Sequence, residues 1–270
     1  FTFCHLYNPG SDGVFNIDID GNGTLEKVTI DADTLGPKAK RTYAAAEFFF
    51  EGHWDKLFLQ GSYTWARSTG NTEGGIKSDI GQADTGTTQD FDYRELMLGA
   101  DGPLPNDRKH TLKVFGNYEL NDQWSIGGNL LVQSGRPINC FGVYGNDPLH
   151  YGASYFSCSD APGTDADGDG VLDNGTALVP RGSAGRTPWQ RQLDLNVAWK
   201  PAFAAGHLTL KLDVFNVFNS RTVTSVVETA ETGQGSSLYD TVYKIPTGFQ
   251  APRAVRVMLP LTMRASAEAR

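Results

Sequence analysis

Two nine-residue stretches place oxygen-bearing side chains at the spacing used by calcium loops: residues 165–173 read DADGDGVLD and residues 18–26 read DIDGNGTLE. Oxygen ligands at the first, third, fifth and ninth places match the opening of an EF-hand-type loop, and a glycine at the sixth allows its sharp turn. The ligands would be Asp165, Asp167, Asp169 and Asp173 in one copy and Asp18, Asp20, Asn22 and Glu26 in the other. Neither copy has the bidentate acid at the twelfth place, where Thr176 and Thr29 stand, and neither is flanked by a helical pattern. Calcium held in long loops is one expectation. Acidic, glycine-rich turns without an ion are the alternative.

Arg136, Arg181 and Arg186 are the only basic residues between 135 and 189. A guanidinium presents a planar fork of donors that suits carboxylate and phosphate. These three are therefore expected either to bind an anionic ligand or to pair with the aspartates of their own stretch. Cys140 and Cys158 flank an aromatic, glycine-rich segment there, while Cys4 stands apart. An oxidising compartment would permit a Cys140–Cys158 bridge, and the loop-entropy model gives it about 3 kcal/mol; two reduced thiols are the other reading. Enzyme signatures are missing. There is no G-x-S-x-G elbow, H-E-x-x-H or P-loop, and the five histidines are scattered without metal-ligand spacing. These residues point to no enzymatic reaction. No other cofactor is implied.

The elements that must position these residues are strands. Period-two alternation marks candidates at about 1–7, 40–51, 55–68, 108–119, 124–134, 190–200, 207–218 and 252–263. Leu193, Leu195, Val197 and Trp199 alternate with Gln192, Asp194, Asn196 and Ala198, and Leu208, Leu210, Leu212 and Val214 with Thr209, Lys211 and Asp213. The strand at 40–51 is noisier, because Phe49 sits between Phe48 and Phe50 and near Glu47 and Glu51. Connections at 52–54, 120–123 and 201–206 are tight, whereas those at 8–39, 69–107, 135–189 and 219–251 run to dozens of residues. In an up-and-down sheet, successive connections fall at opposite ends. Strict alternation therefore gathers every long loop at one end, the layout of a bacterial outer-membrane β-barrel.

A soluble β-sandwich also alternates, and the tryptophans choose between the two. Trp124 and Trp199 adjoin short turns, and Trp65 and Trp189 adjoin long loops. Trp189 and Trp199 lie ten residues apart on one face, a rise of roughly 23 Å in a strand tilted by about 45°. That span fits an apolar band about 25 Å tall with an aromatic girdle at each border. Trp54 is expected on the polar face or in the turn. No apolar stretch approaches the ~18–20 residues of a spanning helix, but barrel strands escape that test. The first residue is Phe1, without a signal-peptide pattern, so the N-terminus reads as a cut end.

The net charge of −8 excludes nucleic acid as an expected partner. Of the 31 acidic residues, 23 lie in the four long connections, with only 9 of the 23 basic ones. Acid is thus concentrated at the loop end, as in ordinary solvated loops or in a surface that meets divalent cations of lipopolysaccharide or of a substrate.

Several segments resemble the C-terminal barrel of TonB-dependent outer-membrane receptors, particularly the Oar-like branch. They are GNTEGGIKSDIGQADTGTTQDFDYRELM (70–97), LPNDRKHTLKVFGNYEL (104–120), LLVQSGRPINCFG (130–142), VPRGSAGRTPWQRQLDLNVAWKP (179–201), LKLDVFNVFNSRTVTSV (210–226) and FQAPRAVRV (249–257). The segment from Asp213 to Asn219 looks like a penultimate-strand motif of these receptors. The resemblance implies an all-β, antiparallel up-and-down transmembrane barrel of 22 strands, of which residues 1–264 supply about the last eight and 265–270 a tail. It also implies a plug domain upstream, contact with the TonB complex through that missing region, a membrane lipid and lipopolysaccharide surround, and a scarce small-molecule or peptide ligand. Lys113, Asn129, Gln133, Asp194, Asn196 and Lys211 would face the lumen and the plug. One departure from the family is the end itself: the outward row Val255, Val257, Leu259, Leu261 and Met263 contains Pro260 in mid-strand, and no terminal aromatic follows. A passive porin, an adhesion barrel and a secreted carbohydrate-binding sandwich are the rival readings.

Overall fold

The computed structural model describes residues 10–92, 94–144, 150–158, 178–205, 207–231 and 242–260. The strands, in chain order, are β1 (Gly13–Ile17), β2 (Glu26–Ile30), β3 (Arg41–Trp54), β4 (Leu57–Gly70), β5 (Gly102–Pro103) and β6 (His110–Glu119). They continue as β7 (Trp124–Gln133), β8 (Gln190–Trp199), β9 (Leu210–Phe215), β10 (Val223–Val226), β11 (Pro246–Phe249) and β12 (Ala254–Met258). One short helix, α1 (Ala32–Leu35), follows β2.

Seven strands pair antiparallel in the order β12-β9-β8-β7-β6-β4-β3, and β5 adds to the end of β4. The sheet is open, with β3 and β12 as its edges. It is an up-and-down meander in which the strands expected at 40–51, 55–68, 108–119, 124–134 and 190–200 all form. The strand expected at 1–7 lies outside the described residues. Two elements escaped the sequence reading: the hairpins β1–β2 and β10–β11 sit inside the expected connections 8–39 and 219–251. Strands of four or five residues in polar surroundings are too short for period-two alternation to stand out.

Register fixes the faces. Residues opposite one another share a side of the sheet, so the pairs Leu195–Val214, Val197–Leu212 and Ile126–Val197 put one apolar row on a single side. Nothing among the described residues covers that row: Leu212 is 42% exposed, and Val255 and Val257 exceed 60%. A sandwich would bury them under a second sheet. Among the described residues the only other sheets are the two-stranded β1–β2 and β10–β11. An apolar face of this extent, left open by the protein, is suited to hydrocarbon as its solvent.

Aromatic rings mark its borders. Trp124 and Trp199 pair in register and stack at 5.8 Å, with Phe203 edge-on to Trp199 at 6.3 Å. At the other end of β8, Trp189 stacks on His110 at 5.7 Å, and His110 Nδ1 shares a 2.8 Å hydrogen bond with Tyr63 Oη. An indole or phenol with an apolar body and a polar tip is suited to such a boundary. The expectation for Trp54 is corrected: it pairs with Leu57, which puts it on the apolar face. Proline 260 is corrected too, because β12 ends at Met258 and Pro260 falls beyond it, still accepting a hydrogen bond from Thr209 N at 3.1 Å. A residue with no N–H stands where the ladder stops. Leu261, Met263 and the tail lie outside the described residues.

The packed core is not in the sheet. Met97, Ala100, Phe141 and Phe156 form one buried cluster, and Cys140, Cys158 and Ala230 another. All belong to connections at the long-loop end.

Candidate functional site

Three connections, 71–109, 134–189 and 216–253, meet over the end of the sheet. Their junction is a buried charge network. Arg181, with no exposed surface, donates from Nη1 to Asp79 Oδ2 at 3.1 Å and from Nε to the Ala100 carbonyl at 2.9 Å. Its Nη2 lies 4.0 Å from Asp90 Oδ2, and its guanidinium sits 4.6 Å from the Phe156 ring centre. Lys77 is equally buried; its Nζ is 3.5 Å from Asp90 Oδ1, donates to Ser154 O at 3.2 Å and lies over Phe141 and Phe156. Burying an ion costs several kcal/mol unless a partner and hydrogen bonds compensate. Here two cations face two carboxylates between two aromatic rings.

Asn139 joins this network to the third connection. Its Nδ2 donates to Asp79 Oδ2 at 2.9 Å and to Glu228 Oε2 at 2.8 Å, and its backbone N–H donates to Glu228 Oε2 at 2.7 Å. Its Oδ1 accepts from Gly182 N at 2.7 Å, and its carbonyl accepts from Tyr243 Oη at 3.1 Å. Every polar group of one side chain is used to hold three loops. The sequence offered no signal for this residue beyond its place beside Cys140.

Arg136 forms an ion pair with Glu228, and Arg186 one with Asp107. The partners of all three arginines thus come from neighbouring connections, which corrects the expectation of pairing within their own loop. Arg181 is closed to solvent and presents nothing to the outside. Cys140 and Cys158 form a disulfide with Cα atoms 5.7 Å apart.

Burial is the main force on the titration of this network. It pushes the Lys77 ammonium down, against the pull of Asp90 and Asp79. It raises Glu228 to about 7, opposed by Arg136 and by the Asn139 amide. A carboxyl group whose folded value is raised stabilises the fold most below its unfolded value near 4.5, and that contribution is lost as pH rises through about 7. The loop junction should therefore loosen between pH 5 and pH 7.5, by on the order of 3 kcal/mol at most. Hydrogen exchange of the 136–141 amides across this range is expected to quicken with pH more than intrinsic chemistry requires. Glu228→Gln should flatten the excess.

The first acidic motif is a compact turn after β1. Carboxylate oxygens of Asp18, Asp20 and Glu26 lie within 4.8 Å of one another. Asp18 already accepts from the Gly21, Asn22 and Gly23 amides at 2.7–3.0 Å, bonds that lower its pKa, and Glu26 accepts from Ile19 N at 2.9 Å. Asn22 Nδ2 points to Asp20 Oδ2 at 2.9 Å. The second motif, Asp165, Asp167, Asp169 and Asp173, lies outside the described residues, as does Cys4.

Near the sheet's other edge, the segment from Asp213 acts as a corner. Asp213 pairs with Arg256 of β12 at 2.9 Å. Asn216 adopts a left-handed conformation (φ 48°); its Nδ2 donates to Ser220 O at 3.0 Å and Ala251 O at 2.7 Å, and its Oδ1 accepts from Ser220 N. Asparagine tolerates that conformation because its side chain can bond locally.

An up-and-down antiparallel sheet, with one lipid-suited face bordered by aromatics, one polar face and its long loops packed at one end, defines the wall of an outer-membrane barrel. The chain belongs to the outer membrane beta barrel domain family, whose model matches residues 30–242, and its place is the bacterial outer membrane. It is 33% identical over 180 residues to the TonB-dependent transporter Oar of Myxococcus xanthus, a match covering 65% of this chain and 15% of that protein's length. Among solved structures, the ferric-catecholate import receptor Fiu of E. coli K12, in its closed form, aligns with a TM-score of 0.40 at 15% identity, over 92% of this chain and 23% of that one. The outer membrane transporter YddB of Escherichia coli aligns with a TM-score of 0.43 at 14% identity, over 92% and 28%.

Proposed function

We propose that this chain is the C-terminal wall and part of the outer canopy of a TonB-dependent receptor that takes up a scarce ligand across the Gram-negative outer membrane. The likeness to Oar carries the reading, because it runs through 180 residues of this chain. The loop junction supports it. Loops that merely fringe an open pore need no internal core, whereas a surface that captures ligand gains affinity by being held in shape beforehand. In this reading the polar face, with Lys113, Asn129, Asp194, Asn196 and Lys211, looks into a lumen filled by the protein's own N-terminal plug. TonB engages a segment upstream of the residues described, and lipid and lipopolysaccharide surround the apolar face.

The test uses the full-length protein. Purified and reconstituted in liposomes, it should bind the periplasmic domain of TonB and should not permit swelling in arabinose, since a plug closes the lumen. Free swelling together with no TonB binding would instead make it a passive porin.

A further inference from the structure

Among the described arginines that are at least partly buried, one has no carboxylate partner. Arg136, Arg181 and Arg186 each hold a carboxylate from another loop. Arg108, at the entrance to β6, has no carboxylate partner among the described residues; its Nη1 donates to the Ser134 carbonyl at 3.1 Å. A guanidinium has five N–H donors, so most of this one's capacity remains open. Partial burial and the nearby charges of Arg136 and Arg186 all disfavour its cation. An anion placed beside it would offset that cost, and no carboxylate among the described residues bonds it.

Arg108 opens on a hollow of about 240 Å³ on the polar face of the sheet, directly below the loop junction. Lys113 is the second cation in its lining, Thr64, Thr111 and Tyr43 bring hydroxyl groups, and Glu47 is its one carboxylate. Two cations against one anion, with hydroxyl donors around them, is the composition of an oxyanion site. Lys113 also lines a second hollow of about 240 Å³, farther along the same face, with Phe49 and Phe115. Those two rings are 64% and 44% exposed on a face that is mostly polar, and Phe115 meets Phe58 of the same face edge-on at 5.9 Å. Exposed aromatics on the lumen side do nothing for the lipid contact, and they explain the irregular alternation around Phe49.

We propose that Arg108 and Lys113 form an anion subsite on the lumen wall, with Phe49 and Phe115 as an adjoining shelf, and that the ligand class is a small carboxylate or phosphate carrying an aromatic or apolar body. The proposal rests on the receptor reading and names the chemistry of its ligand. The site lies where a molecule released inward from the loops would next touch the wall. The charge holds one end, and the rings accept the other.

Phenyl phosphate and inorganic phosphate are the probes, titrated into the full-length protein in detergent and followed by calorimetry. Phenyl phosphate should bind saturably and about tenfold more tightly than inorganic phosphate, the difference being the stacking worth of one ring. Arg108→Gln should weaken both by about tenfold or more, and Lys113→Gln should act in the same direction. Phe115→Ala should abolish the preference for phenyl phosphate while leaving inorganic phosphate unchanged. Retention of heat-modifiable migration on gels shows that each variant is folded. No saturable binding by the wild type, as when a plug carboxylate already occupies the hollow, overturns the proposal. So does an Arg108→Gln variant with wild-type affinity. Neither result touches TonB binding or liposome closure, so the receptor reading stands or falls separately.

Discussion

Arg181→Met should leave the sheet in the membrane and release the loops above it. The methionine fills much of the volume but leaves Asp79 and Asp90 buried without their shared guanidinium. Breaking a buried ion pair from one side costs about 3–5 kcal/mol, because the surviving charge is uncompensated. Loop opening should then rise by about two orders of magnitude or more. In the full-length protein, protease cleavage within 71–109 is expected to accelerate accordingly, while heat-modifiable migration of the barrel stays unchanged. A triple variant, Arg181→Met with Asp79→Asn and Asp90→Asn, removes the charges on both sides and should recover much of the resistance. Wild-type protease resistance in the single variant would show that the network is decoration on loops held by their apolar clusters alone.

That network was invisible in the sequence for a definite reason. Asp79, Asp90, Asp107 and Glu228 are ordinary acids in acidic loops, and Arg136, Arg181 and Arg186 stood out only as the basic residues of one stretch. Which charge meets which is decided by how three connections converge, and their partners lie 79 to 102 residues apart in the chain. No local spacing encodes that. Asn139 is a stronger case, since its role depends on four groups from three segments arriving together. The long strands were legible because each repeats its period over ten or more residues, as in Gln190 to Trp199. Trp54 shows the limit: its face was misjudged from a noisy strand and became clear only through its pairing with Leu57. The two small hairpins fell below the length at which alternation speaks.

Leu195→Arg and Asn196→Arg, neighbours on β8, should behave in opposite ways. Leu195 lies between the two tryptophan borders of its strand and pairs with Gly128 and Val214 on the uncovered apolar face. An arginine there must carry its charge into the middle of the hydrocarbon, at a cost of about 2–4 kcal/mol in a barrel. Asn196 faces the other way and pairs with Asp213 and Gly127. An arginine at 196 gains a carboxylate neighbour, with only the glycine hydrogen on its other side, so its cost should be close to zero. The measurement is urea unfolding of the full-length protein refolded into lipid vesicles, with the two variants run beside the wild type. A midpoint lowered for Leu195→Arg alone fixes which face meets lipid. Equal tolerance of both substitutions would mean that water reaches both sides of the sheet, and a larger loss at Asn196 would mean that the faces are inverted. Because side chains alternate strictly along a strand, either result would apply beyond β8 to every strand in register with it, and the lumen assigned to Arg108, Lys113 and the aromatic shelf would move with it.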